Sequence, residues 1–574
     1  MSDSGGELLA ETLATLGVRD AFALHGGHLD AFLVACPEHG IRLLDTRHEA
    51  SAGHAADSYA RATGSIGVAA ITAGPGFTNG LTAMVSAYLD AVPVLFIAGS
   101  PPLREVETNP LQGGFDQVAM AAAGCKWAHR VTHVERIPDL VEKAVRIATS
   151  GQPGPVFLEV PIDVMFAPAN RVMLPVAPGR PANLVPAPSA ATVEGMLAML
   201  ETAERPVIVA GGGAALSPSA DPLRRFVEHT GIPLVTNAHG HGVLAHDHPC
   251  YAGGTGSIGG AAGAGLAPDV VVLAGARQGL FTGGRSGSVV PADARLIQVD
   301  VDGAELSRLK PADLPVVADC AATFSALAGA AGRRSWRDRS EWRSLLKSHR
   351  NPLGTLFEDA PAETAPGRLH PYHAAKAALG ALAPQTGVVF DGGESSAWCD
   401  PHLRAAGPGL FMTNGYLGCL GIGQGAAIGM AIAEPGRPVA VFAGDGAMGF
   451  HIGEFDTMVR HDLPIVTVVL NNASWGMSRH GQDLVYGENR RSIVGLADTH
   501  YERVAESFGC HGERVDRYDD IAPAIRKAQA GGRPACVNLI TDPDVVHPVT
   551  PAMVGNVAAG NEVAIPYYEN IPRD

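Results

Sequence analysis

Short runs of consecutive apolar residues, each cut off by glycine or a charged group, recur along this 574-residue chain and alternate with stretches of helical periodicity. Runs without polar alternation read as strands buried on both faces, the pattern of a parallel sheet covered by helices. In the first part of the chain they are Ala21 to Leu24, Ile41 to Leu44, Gly67 to Thr72, Val92 to Ala98 and Val156 to Val160. In the second they are Pro206 to Ala210, which runs into Gly211-Gly212-Gly213, then Val270 to Ala274 and Leu296 to Val301. In the third, Val439 to Ala443 and Ile465 to Leu470 enclose the helical stretch Ile452 to Arg460, a βαβ unit. The expected fold is therefore α/β: three doubly wound parallel-sheet domains at 1–180, 190–345 and 365–545, with a C-terminal tail at 546–574. A Pro-rich linker, Leu174 to Pro188, closes the first block, and the polar stretch Gly332 to Asp359 closes the second. The length can build three or four separate cores, and 70 glycines suit the tight turns between strand and helix.

Charge narrows the partners. A formal net charge of -16 without a basic tract argues against nucleic acid or an acidic membrane surface. Apolar segments are too short to span a bilayer. The eight cysteines form no CxxC pair, and the N-terminus lacks a charged-then-apolar leader. Reduced thiols, a cytoplasmic location and no zinc site are expected.

The most informative motif is Gly444-Asp445-Gly446, followed after 24 intervening residues by Asn471-Asn472. It places a carboxylate and a carboxamide at the ends of two successive strands, where ligands of such sheets bind. Both are hard oxygen donors, suited to Mg2+ shared with phosphate oxygens, and flanking glycines let backbone approach a pyrophosphate. A P-loop, GxxxxGK[ST], is absent, which counts against phosphoryl transfer. Gly211 to Gly213 does not complete GxGxxG, because Leu216 stands at the last glycine position; a tight strand-to-helix turn is expected there, and no FAD.

The GDG…NN pair resembles the signature of thiamine diphosphate enzymes. Leu24-His25-Gly26-Gly27-His28, Asp45-Thr46-Arg47-His48-Glu49-Ala50, Thr108-Asn109-Pro110-Leu111-Gln112 and Trp127-Ala128-His129-Arg130 narrow the likeness. Along nearly its whole length the chain is similar to benzaldehyde lyase, of the pyruvate oxidase and decarboxylase group. The resemblance implies pyrimidine-binding, middle and diphosphate-binding domains in chain order. It implies Mg2+ held by Asp445, Asn472 and the Ser474 carbonyl, with Gly444, Gly446, Ala447, Trp475, Gly476 and Met477 along the cofactor. Leu420 would bend the cofactor, the Gly418 carbonyl would receive its 4'-amino group, and Glu49 would bond ring nitrogen N1' and activate it. Without the resemblance, Glu49 among Arg47, His48 and His54 reads as a solvated charged helix start.

His25 and His28 follow the first strand, where neutral imidazoles could exchange protons with a substrate hydroxyl. The resemblance assigns His28 as the catalytic histidine and Gln112 as the glutamine bonding the reacting oxygens. Four pocket positions depart from benzaldehyde lyase: Ile162 for tryptophan, Ser396 for tyrosine, Asn414 for histidine and Met477 for alanine. Lost rings favour a more aliphatic carbonyl or 2-hydroxy carbonyl substrate. The expected activity is carbon–carbon lyase and carboligase on acyloins. A 2-hydroxyacyl-CoA lyase is the first alternative, since Asp542 to Asp574 extends past a shorter relative and Arg285, Arg479, Arg490 and Arg491 could meet thioester phosphates. A 2-oxo acid decarboxylase or acetolactate synthase is the second. The family also implies a homodimer or homotetramer, and leaves a nucleotide in the middle domain open, with Arg277 and Arg285 nearest to that role.

Overall fold

The computed structural model describes residues 4–105, 107–108, 111–170 and 185–554. Asn109, Pro110, most of the Pro-rich linker, the Arg285 side chain and the tail beyond 554 lie outside the described residues.

Three six-stranded parallel sheets carry the chain, so the α/β expectation holds. The first comprises β1 (Asp20–Ala23), β2 (Arg42–Asp45), β3 (Gly67–Ile71), β4 (Val94–Ser100), β5 (Trp127–Arg130) and β6 (Val156–Pro161) in the order β2-β1-β3-β4-β6-β5. β3, β4 and β6 are buried at every position, which is why they read as apolar runs, broken in β6 only by buried Glu159. The second comprises β7 (Pro206–Ala210), β8 (Leu234–Thr236), β9 (Tyr251–Gly254), β10 (Val270–Ala274), β11 (Arg295–Asp300) and β12 (Leu314–Val317), ordered β12-β11-β10-β7-β8-β9. Ile208 and Ala210 enter one apolar cluster and Val207 and Val209 another, so both faces of β7 are covered. A small hairpin, β13 (Glu363–Ala365) with β14 (Arg368–Leu369), precedes the third sheet.

That third sheet holds β15 (Gly387–Asp391), β16 (Phe411–Met412), β17 (Val439–Gly444), β18 (Val466–Asn471), β19 (His511–Val515) and β20 (Ala535–Ile540) in the order β16-β15-β17-β18-β20-β19. It repeats the winding of the first sheet strand for strand. In each, the order reverses between the first and third strands, and such switch points open a crevice beyond the strands' carboxyl ends.

Two stretches from within the third block, Asn414–Arg437 and His451–Leu463, pack compactly with the first sheet and its helices. Helix Gly423–Ala433 lies backbone to backbone on helix Glu49–Thr63. A Cβ on Gly425 would stand 2.7 Å from the Ser51 carbonyl oxygen, and one on Gly429 would run into the Ala55 carbonyl. No helix among the described residues is long and apolar enough to cross a membrane.

Candidate active site

At the switch point of the third sheet, register decides which loops meet. Asp391 pairs with Ala443, and Gly444 with Leu470, so loops Gly392–Ser396, Gly444–Ala447 and Asn471–Met477 leave adjacent strands side by side. Asp445 is buried and opens helix Asp445–Met448 at its first position, with Gly444 rather than Asp445 as the cap. Its Oδ2 accepts the Ser474 N–H at 3.1 Å, and the Tyr501 hydroxyl donates to its carbonyl at 2.9 Å. Burial still outweighs these backbone donors and holds the carboxyl up at about 7.

The two asparagines have different work. Asn471 Oδ1 accepts the Ala473 N–H and its Nδ2 donates to the Thr499 carbonyl, both at 3.1 Å, fixing a turn in which Ala473 sits at φ 52°. Asn472 Oδ1 is buried without a hydrogen-bond partner. Beyond it, Ser474 Oγ and the Trp475 N–H both donate to the Val494 carbonyl, at 3.2 and 2.9 Å.

Close approach explains the glycines, though not all as expected. A Cβ on Gly444 would meet Ser395 Oγ at 2.9 Å, and one on Gly446 would meet the Trp475 indole at 2.5 Å. The Cβ direction at Gly446 is thus filled by the Trp475 ring. Gly476 faces Asn472 Nδ2 at 2.8 Å, and Met477 Sδ lies 3.2 Å from the Cβ position of Gly393. Of the loop Gly392–Ser396, the sequence singled out only Ser396, and that through the resemblance. Ser395 stands between Gly392 and Gly444, and Ser396 Oγ is buried without a partner. The Gly-Gly pair after an apolar run was its one local signal, and only strand order brings it beside Asp445.

Behind that loop lies a buried clamp. His480 Nδ1 donates to both Glu394 carboxylate oxygens at 2.9 Å, His480 Nε2 donates to the Pro543 carbonyl at 2.8 Å, and Thr550 Oγ1 donates to Glu394 Oε1. Burial works against a charged imidazole here, but the carboxylate bond and charge prevail and the His480 pKa is raised.

The switch point of the first sheet gathers a second set. Ala23 pairs with Ala70 and Ile71 with Ala98, so the loops after β1, β3 and β4 adjoin. His28, in the turn Gly27–Leu29, packs against Gly99 where a side chain would collide. Half-buried, it has its pKa lowered by desolvation. Gln112 adopts φ 56° and rests on Gly74, whose Cβ position is 2.8 Å from Gln112 Cα. His28 is thus seated by Gly99 at the end of β4, and Gln112 by Gly74 in the loop after the neighbouring strand β3. His25 is not brought in: its ring is 71% exposed and its Nε2 faces Asp30 Oδ1 at 2.8 Å.

Glu49 begins helix Glu49–Thr63, capped by His48 Nδ1, which accepts the Ala50 N–H at 3.1 Å. It is 6% exposed, so the solvated helix start suggested by its charged neighbours is not what forms. Its Oε2 accepts Asn79 Nδ2 at 3.0 Å, Oε1 lies 3.4 Å from the Cβ position of Gly76, and Thr72 Oγ1 nearby is buried without a partner. Gly418, at φ 66°, and half-buried Leu420 belong to a tethered loop. Asp90 Oδ1 accepts the Tyr416 N–H at 3.1 Å, His451 Nδ1 donates to the Gly421 carbonyl at 2.6 Å, and Asn414 Nδ2 donates to the Cys419 carbonyl. Asn414 is engaged in holding this loop rather than presented to a substrate. Asp90 is itself fixed by buried Arg61, which also pairs with Asp57.

Profiles for the N-terminal TPP binding domain, the central domain and the C-terminal TPP binding domain of thiamine pyrophosphate enzymes match residues 3–120, 193–327 and 391–539. The chain belongs to the thiamine pyrophosphate enzymes. It is 33% identical over 553 residues to a probable acetolactate synthase of Mycobacterium bovis, covering 95% of this chain and 96% of that one. It is 32% identical over 580 residues to 2-hydroxyacyl-CoA lyase 2 of Bos taurus, at 93% and 90% coverage. A probable acetolactate synthase large subunit of Methanocaldococcus jannaschii is 30% identical, at 95% and 93%.

The residues present fit the cofactor of this thiamine pyrophosphate enzyme. A buried carboxylate beside unpartnered Asn472 Oδ1 and Ser396 Oγ is an arrangement that a cation and a phosphate would satisfy. Among the described residues no group of three or more His, Cys, Asp or Glu could hold a metal, so a cation here would rely on few protein oxygens and on those of its ligand. Two arginines expected for thioester phosphates are already engaged. Arg479 donates to the Pro543 carbonyl at 3.1 Å and pairs with Asp544, and Arg491 holds both Asp483 oxygens at 2.6 and 2.7 Å.

Proposed function

We propose that this enzyme is a thiamine diphosphate- and Mg2+-dependent carbon–carbon lyase that also works as a carboligase, cleaving or forming 2-hydroxy carbonyl compounds with aliphatic substituents. The observation that carries the reading is the seating of His28 on Gly99 and of Gln112 on Gly74, at the ends of two neighbouring strands, a neutral imidazole and a carboxamide suited to a hydroxyl and a carbonyl oxygen. When bound, thiamine diphosphate supplies an acidic carbon that adds to carbonyls and bears the charge left when a carbon–carbon bond breaks. Asp445, Asn472 Oδ1 and the Ser474 carbonyl would hold Mg2+, with Gly444, Gly446, Ala447, Trp475, Gly476 and Met477 lining the cofactor. Glu49 Oε1 would share a proton with the pyrimidine nitrogen, while Gly418 and Leu420 set the cofactor's bend.

His28 then takes the proton of a substrate hydroxyl, because burial keeps the ring unprotonated near neutral pH. Gln112 donates to the oxygen that changes charge. Likeness to benzaldehyde lyase supports these roles, and Ile162, Ser396 and Met477 support an aliphatic rather than aromatic substituent. The proposed assembly is a homodimer or homotetramer in the cytoplasm, in which the Glu49 of one copy serves the Asp445 site of another.

A 2-hydroxyacyl-CoA lyase is the second reading, favoured by relatives of that name and by the residues 543–554 clamped beside the cofactor loop. Acetolactate synthase, the activity named for other relatives, predicts CO2 from pyruvate. The test incubates the Mg2+ and thiamine diphosphate form with hydroxy ketones, 2-oxo acids and 2-hydroxyacyl thioesters. Aldehyde release from hydroxy ketones without CO2 is expected. Turnover confined to pyruvate, with CO2, would overturn the lyase reading, and turnover confined to thioesters would replace its substrate class.

A further inference from the structure

Between the two loops that seat His28 and Gln112 lies a buried carboxamide that neither motif includes. Gln117 is 1% exposed and opens helix Gln117–Ala122. Its Oε1 accepts the Gly74 N–H at 2.8 Å, and its Nε2 donates to the Gly99 carbonyl at 2.9 Å. Gly74 is the residue on which Gln112 rests, and Gly99 is the residue against which His28 packs. One planar group therefore ties both supports at a fixed separation.

A carboxamide can bond either way round, and its two ends are nearly equal in shape. Here the Gly74 N–H can only donate and the Gly99 carbonyl can only accept, which selects one way round. Glu159, also 1% exposed, reinforces it: its Oε2 accepts the second Nε2 hydrogen of Gln117 at 2.9 Å and anchors the amide. Arg130, paired with Glu159 Oε1, turns the carboxylate into that position; β5 and β6 bring them together through the register of Arg130 with Glu159.

We infer that Gln117, anchored by the Glu159–Arg130 pair, is a positioning residue that sets the distance between His28 and Gln112 for bond making and breaking. The inference rests on the roles proposed for those two groups. Gln117 does not reach the reacting atoms. Its loss moves two groups that do, and misplacement on the scale of 1 Å lowers turnover steeply.

The experiment uses the Mg2+ and thiamine diphosphate holoenzyme and the panel compound the wild type turns over fastest. Gln117→Leu and Glu159→Gln are each expected to lower kcat by about 10- to 100-fold, with cofactor affinity and the C2–H exchange rate of bound cofactor unchanged. Exchange depends on Glu49, not on the His28 turn, so a general loosening would lower both. In a Gln112→Ala background, Gln117→Leu is expected to cost clearly less than in the wild type, since the distance it sets no longer has Gln112 at one end. If Gln117→Leu does not fold, Glu159→Gln, which keeps size and a hydrogen-bonding end, carries the test.

Turnover close to wild type in Glu159→Gln and Gln117→Leu, a full multiplicative loss on the Gln112→Ala background, or exchange falling in step with kcat would overturn the inference. The functional reading fails separately, if His28→Ala and Gln112→Ala themselves leave turnover intact.

Discussion

Removing His480 tests the clamp behind the cofactor loop. Both ring nitrogens face acceptors, two Glu394 oxygens at 2.9 Å and the Pro543 carbonyl at 2.8 Å, and a neutral imidazole has only one N–H to give. The ring is therefore an imidazolium, 2% exposed against a carboxylate 6% exposed. His480→Leu leaves Glu394 buried with only the Thr550 hydroxyl, and stranding one partner of a buried ion pair costs about 3–5 kcal/mol. The two imidazolium N–H groups, at roughly 1.5–3 kcal/mol for each charge-assisted hydrogen bond, give about the same range. The readout is hydrogen exchange at the Val549 and Thr550 amides, which bond His547 Nδ1 and the His547 carbonyl. Opening should become about 100- to 3,000-fold easier, at about 1.4 kcal/mol per tenfold. Replacing both Glu394 and His480 by Leu should cost much less, because no charge is stranded. The pH arm has a definite sign. The folded His480 pKa lies above 6.5, so the clamp's stabilisation is fully present below pH 6.5 and is lost as pH rises through the raised value. Unchanged protection in His480→Leu, or protection that grows with pH, would refute the reasoning.

Glu49→Ala should fold normally and bind Mg2+ and thiamine diphosphate, but abolish C2 proton exchange in the bound cofactor, read by NMR after quenching in D2O; the buried carboxylate bonded to Asn79 is then lost. Asn472→Ala should weaken Mg2+ binding about 10- to 100-fold in calorimetric titration with cofactor present, by removing the unpartnered Oδ1. Gly446→Ala pushes a methyl to 2.5 Å from the Trp475 ring, an overpacking of about 1–3 kcal/mol that should appear as lost cofactor affinity. Asp90→Ala leaves Arg61 with Asp57 as its carboxylate partner and frees the Tyr416 N–H; destabilisation of about 1.5–3 kcal/mol and faster exchange around Gly418 are expected.

What could be read from the chain followed how local the cause was. β17 and β18 announce themselves because both faces are buried, leaving runs such as Val439 to Ala443 with no polar interruption. Their ends were placed only to within a residue or two: the run Val92 to Ala98 became Val94–Ser100, since pairing with β6 rather than hydrophobicity sets where a strand stops. Asp445 and Asn472 were legible because motif and site lie in one βαβ unit. The loop Gly392–Ser396 had no motif of its own and only the resemblance pointed to Ser396, because its place beside Gly444 arises from the strand order across the sheet. Gln117, Glu159 and Arg130 were equally invisible, being joined through β5–β6 pairing with no spacing rule between them. Residue type alone did not separate His25 from His28; the resemblance singled out His28, and the structure has one ring exposed and the other packed.

The indole of Trp475 leaning on Gly446 gives the molecule an optical probe of its own loading. Of the five tryptophans, this one is built into the loop that follows Asn472, with its edge against the glycine next to Asp445. A change of charge or hydration at Asp445 therefore reaches an emitting group through direct contact. Titrating Mg2+ and thiamine diphosphate should shift the intrinsic emission of the wild type and leave that of Trp475→Phe nearly flat, so occupancy can be followed without substrate and without a label.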